Sequence, residues 1–194
     1  MSKGRLEAFS DGVLAIVITI MVLEIKPPEG ASLDALGPLL PQLFAYALSF
    51  IYLGIYWNNH HHLLHASRTI SGAVLWANLH LLFWLSLVPA GTVWIGQTSF
   101  APIPVAVYAF QLFMPAVAFT ILVRTLLRAP GQGPALAEGI GSDFKGKISL
   151  VLYAASIPIA LIYPPIALGI FLFVAAIWFV PDRRLEPRPD TLSE

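Results

Sequence analysis

The side chains in this sequence that could do chemistry are few. Ser10 and Asp11 sit at the mouth of an apolar run that reaches Leu23. Four histidines, His60, His61, His62 and His65, follow Trp57, Asn58 and Asn59, and the fifth, His80, follows Asn78. Metal binding is the first chemistry to weigh, because His61 and His65 are four apart and share a helical face, as metal-binding histidines can. A tetrahedral site needs three or four protein ligands. No acidic residue lies near these histidines in sequence, and the chain has no cysteine. The same spacing puts Trp57 with His61 and Asn58 with His62, and polar groups buried among apolar helices must find partners. The favoured reading is a hydrogen-bond network between helices, with Asp11, Arg5, Asn78 and His80 as candidate partners. His60 and His65 suit interfacial water best.

Catalysis has less to stand on. Ser10, Asp11 and a distant histidine make no triad without a nucleophile elbow, and none is present. Gly131, Gln132, Gly133 and Pro134 lack the Gly-Lys-Ser/Thr ending of a phosphate loop. Gly54, Ile55 and Tyr56 are not the Thr-Val-Gly-Tyr-Gly potassium filter. No cofactor is expected.

The elements that must carry these residues are membrane helices. Hydrophobic residues make up 57% of the 194 and charged residues only 11%, with a mean hydropathy of +0.76, against about 25% charged in soluble domains. The net charge of +0 excludes the basic footprint of a nucleic-acid binder. Lys3 and Arg5 before an apolar segment imitate a signal peptide. However, Asp11 interrupts its start and no small-residue cleavage site follows, so it reads as a retained first span.

Residues 12–23, extended by 9–11 and 24–26, reach the length of a span. Further spans are expected at 39–64, 70–94, 105–127, 148–163 and 166–180, the last two joined by Pro164 and Pro165. Ser10 or Asp11 could cap the first helix, and Ser32 a short helix before the second. Residues 1–181 form one six-helix domain, and 182–194 read as a disordered tail. A re-entrant hairpin is the alternative for the last pair. With the N-terminus inside, Lys3, Arg5, Arg68, Arg124, Arg128, Lys145, Lys147, Arg183, Arg184 and Arg188 are cytoplasmic and only Lys26 is outside.

On a wheel, Gly12, Ile16, Thr19, Ile20 and Leu23 form one stripe, with Asp11 roughly 140° and Ser10 roughly 120° from Ile16. The first helix thus has a branched apolar face with one hydroxyl and, elsewhere, a polar pair. A capped helix with a lipid- or core-facing stripe also fits this pattern.

Arg5, Phe9, Ser10 and Asp11 at the start of a first membrane helix resemble the signature of the transmembrane protein 175 family of potassium channels. A second span ending in Trp57 and His61, and six spans with cytoplasmic ends, agree with its single-unit prokaryotic members. The resemblance implies an all-α membrane protein, a homotetramer in a prokaryotic plasma membrane, with the first helix of each copy lining the pore. It places Ile16 at an apolar constriction, and Thr19 or Ile20 and then Leu23 in the next layers. It implies that Ser10 and Asp11 face away from the pore toward polar residues of neighbouring helices, with Arg5, Trp57, His61 and Asn78 in equivalent positions. K+ would be preferred only weakly over Na+. A secondary transporter of a small solute or proton, with Pro158 marking a broken helix, and a membrane enzyme built on a histidine-bound metal are the rival readings.

Overall fold

The computed structural model describes residues 2–132 and 143–179, and these are helical with no strand. The helices are α1 (Lys3–Leu23), α2 (Leu40–Ala66), α3 (Gly72–Ser86), α4 (Val88–Gln97), α5 (Pro102–Arg128), α6 (Phe144–Ile162) and α7 (Pro164–Phe179). A 3-10 helix, Leu33–Leu39, leads into α2. Proline punctuates the starts: α2, α4 and α5 each carry one in the first two positions, where no N–H is needed.

Among the described residues, five helical stretches are long and apolar enough to cross a membrane: Lys3–Leu23, Leu33–Ala66, Gly72–Gln97, Pro102–Arg128 and Phe144–Ile162. Pro164–Phe179 is a shorter apolar helix of 16 residues. At 1.5 Å per residue it rises about 24 Å, a little less than a bilayer core. Only Tyr163 separates α6 from α7, and the two pack against each other. The polar tail expected at 182–194, with Arg183, Arg184 and Arg188, lies outside the described residues, as do 133–142 of the longest connection.

The structure corrects several expectations. α1 begins at Lys3, because Arg5, Leu6, Glu7 and Ala8 are good helix formers and nothing breaks the turn before Ser10. Ser10 and Asp11 are therefore interior residues and cap nothing. Ser2 occupies the cap position with no side-chain cap bond, and Ser32 likewise makes none. The third span is two helices broken at Leu87, ahead of Pro89, whose missing N–H leaves the carbonyl of Leu85 without its helical donor. The Gln111 amide donates to the Leu87 carbonyl at this break (3.3 Å). By contrast α6 runs unbroken through Pro158.

α1 lies against α2, α3 and α4, while α6 and α7 pack on α5. The core between them is closed by large buried side chains, among them Leu14, Leu53, Leu64, Leu81, Tyr108 and Phe171. Hydrogen bonds between helix ends fix which ends share a face. The Lys3 ammonium donates to the carbonyls of His65 (2.7 Å) and Ser67 (3.1 Å), joining the start of α1 to the end of α2. Gln132, after α5, accepts from the Arg68 N–H (2.8 Å) and donates to the Thr69 carbonyl (2.9 Å). At the opposite face the Gln42 amide donates to the carbonyl of Glu24 (3.1 Å). Gly96 meets Gln42 there, where a Cβ would come within 2.8 Å of the Gln42 backbone. Lys3, Arg5, Arg68, Arg124 and Arg128 therefore belong to one face and Lys26 to the other.

Candidate functional site

α1 has two faces with opposite surroundings. Leu6, Ser10, Leu14, Val17 and Met21 are buried against the rest of the subunit. Arg5, Phe9, Gly12, Ile16, Thr19, Ile20 and Leu23 are exposed, Ile16 by 64% and Leu23 by 77%. The stripe read from the sequence is thus the face of α1 that no other described part of the chain covers.

What sets that rotation is a polar clamp one-third of the way along the helix. Ser10 is wholly buried and donates to the Leu6 carbonyl (2.9 Å), which leaves its oxygen free to accept. The Asn78 amide of α3 donates to it at 2.9 Å. The Asn78 carbonyl oxygen, pointing the other way, receives the Nε2–H of His60 on α2 at 2.6 Å. These four residues form one directional chain, His60 to Asn78 to Ser10 to Leu6, across three helices. Beside it the Trp57 indole donates to Asp11 at 3.0 Å; indole is only a donor, so the direction is fixed. Adjacent residues of α1 are therefore tied to α3 and α2 respectively. Hydrogen bonds to a charged group contribute about 1.5–3 kcal/mol, and orphaning one buried partner costs about 1–3 kcal/mol.

Of the residues singled out by sequence, the structure brings together Ser10 with Asn78 and Asp11 with Trp57. It does not bring His61 into this network. His61 is exposed and stacks between Trp57 and His65, with ring centroids 6.1 and 6.0 Å away. The histidine in the clamp is His60, only 1% exposed, which the sequence had pointed to interfacial water. Position 60 is about 100° from both 59 and 61 on the helix, so one residue decides between the α3-facing side and the open side. His80 accepts from Trp84 on its own helix (2.9 Å) and takes no part. Arg5 and Phe9 lie on the exposed face, and among the described residues no hydrogen bond or ion pair holds Arg5. Among the described residues no group of three or more metal-ligating side chains forms.

Two tethers were not anticipated. One is Lys3 on the end of α2. The other is a buried hydroxyl cluster in the opposite half of the span. Thr92 donates within a shared network to Ser49 (2.6 Å) and the Val88 carbonyl (2.8 Å), and Ser49 pairs with the Tyr108 hydroxyl (2.7 Å). Thr92 also meets the Met21 sulfur at 3.8 Å, the last buried residue of α1. Hydroxyls at 49, 92 and 108 within apolar spans were the available signal.

On the open face the Thr19 hydroxyl donates back to Ala15 (2.9 Å) and Ile16 (3.1 Å) carbonyls. Its proton is committed to the helix, so what Thr19 presents outward is oxygen lone pairs. That suits a cation and gives an anion no donor.

Comparison with known proteins finds related chains. Residues 5–89, which run from Arg5 to just past the α3–α4 break, match the family described as endosomal/lysosomal potassium channel TMEM175. A potassium channel of Chryseobacterium sp. is 56% identical over 186 residues, covering 96% of this chain and 97% of its own. A potassium channel of Streptomyces collinus is 36% identical over 134 residues, covering 65% of each. The crystal structure of a lysosomal potassium-selective channel TMEM175 homologue from Chamaesiphon minutus aligns with a TM-score of 0.80 at 26% identity, covering 93% of this chain and 97% of that one.

Proposed function

The chain belongs to the TMEM175 family, and from that premise we propose that it is a potassium channel in which the open face of α1 lines the conduction path. The observation that carries this is the division of α1. One face is fixed in rotation by the Ser10 and Asp11 bonds, and the other has no partner among the described residues. Lipid is a poor cover for that second face, because it bears Thr19 and the charged Arg5, and ionisable residues at membrane depth belong in protein or water-filled surroundings.

Four copies around an axis, with their α1 helices innermost, satisfy these requirements. The Ile16 side chains then form an apolar ring that excludes water when the helices close and conducts when they tilt or rotate apart. Thr19 follows, offering four oxygens that replace part of a cation's hydration. Ile20 and Leu23 continue the path, and Gly12 leaves it wide on the other side of Ile16. Hydroxyls on mobile helices hold no fixed cage, so K+ is favoured over Na+ only modestly. The positively charged face carrying Lys3, Arg68 and Arg124 is cytoplasmic, in a prokaryotic plasma membrane.

The test is cation flux into liposomes holding the purified protein, driven first by K+ and then by Na+, with an ionophore control. Flux in K+ that needs no other solute, a smaller flux in Na+, and a rise in the Ile16→Asn variant are expected. A folded assembly silent in both forms would overturn the channel reading.

A further inference from the structure

α1 carries four charged side chains, and three of them avoid its open face. Lys3, Glu7 and Asp11 lie about 140–180° from Ile16 at 100° per residue. Each is engaged on the subunit side: Lys3 with Glu7 (3.9 Å) and the end of α2, and Asp11 with Trp57. Arg5 is the exception. It lies about 20° from Ile16, on the same line as Phe9 and Leu23, exposed, and about 16 Å along the axis toward the Lys3 end.

We infer that Arg5 is a valence-selecting residue of the cation path, its four copies ringing the mouth on the Lys3 side. This rests on the reading that the open face of α1 lines the pore. By itself the ring disfavours cations relative to anions; the preference for cations is set deeper in, by Thr19 with its lone pairs outward. What a positive ring does is weight charge. A potential that thins K+ about threefold at the mouth thins Mg2+ about ninefold, because the Boltzmann exponent doubles with valence. It also slows ions arriving from that side alone. Current from the Lys3 side is therefore smaller than current in the opposite direction at equal voltage, and Mg2+ or polyamines are kept out of a passage that has no rigid filter to reject them.

The experiment records current–voltage curves from the full-length protein in planar bilayers, at about 10 mM and 1 M KCl, where the screening length is about 30 and 3 Å. Arg5→Gln is expected to raise current from the Lys3 side about threefold at low salt, to leave it nearly unchanged at high salt, and to raise Mg2+ block or permeation by a larger factor. Arg5→Lys is expected to behave as the parent. The chain is cysteine-free, so Arg5→Cys offers a second route: a positively charged thiol reagent added from the Lys3 side should restore the lower current. Ile16→Asn is run in parallel. If it changes conductance while Arg5→Gln leaves rectification and Mg2+ discrimination alone, Arg5 is no mouth charge and the proposal fails by itself. If neither variant changes anything, the pore-lining reading fails and takes the proposal with it. If Arg5→Gln separates the copies while Arg5→Lys holds them together, Arg5 makes a subunit contact, and the proposal is overturned.

Discussion

The buried and open faces of α1 use the same 21 residues for opposite ends. On the side turned to the subunit the polar residues have named partners: Ser10 with Asn78, Asp11 with Trp57, and Met21 beside Thr92. On the open face the single hydroxyl folds back onto its own helix and the single charge, Arg5, has no bond among the described residues. The difference teaches that the polar pair at the start of the apolar run is no active site. It is a rotational lock, and its consequence is felt on the far side of the helix, where Gly12, Ile16, Thr19 and Leu23 are presented outward.

If that division is right, variants on the two faces dissociate. The largest effect belongs to Asn78→Leu, which orphans His60 and Ser10 together and should cost about 2–4 kcal/mol of stability, read as lost thermal stability in detergent. A variant as stable as the parent would break the comparison at once. Next comes Ile16→Asn, expected to raise K+ flux several-fold while shifting stability by less than about 0.5 kcal/mol, as exposed substitutions do. Trp57→Phe keeps the ring but removes the donor to Asp11. It should cost about 1–2 kcal/mol and leave the K+/Na+ ratio unchanged, and an altered ratio would mean the lock itself touches the path. The smallest effect is that of Thr19→Ala, a fall of about twofold in K+/Na+ permeability, equal to about 0.4 kcal/mol. Reversal potentials under mixed-ion conditions resolve it, and an unchanged ratio would move selectivity away from this hydroxyl.

Part of this arrangement could be read from residue spacing. The stripe on α1 follows from helical period, and the need to satisfy buried polar groups made Asp11 and Asn78 candidate partners across helices. That Ser10 and Asp11 turn toward such residues came from the family resemblance, and the Ser10–Asn78 and Asp11–Trp57 pairs themselves from the structure. Choosing His61 over His60 failed for a physical reason: the two differ by one residue, and only the packing of α2 against α3 says which side is buried. The α3–α4 break was signalled by Pro89 but masked by an apolar run that continues through it. The caps expected at Ser10 and Asp11 failed because good helix formers precede them, so the helix starts a full two turns earlier. The tether from Lys3 to the end of α2 left no trace in spacing, since it joins side chain to backbone across 62 residues.

The central claim is that the open face of α1 meets the permeating ions and the buried face does not. Since the chain contains no cysteine, single cysteines can be placed along α1 and probed with a small charged thiol reagent during current recording. Modification should change the current at positions 12, 16, 19 and 23, with the pattern repeating at helical period, and leave it unchanged at 14, 17 and 21. Equal reactivity around the helix, or a response confined to 14, 17 and 21, would contradict the account.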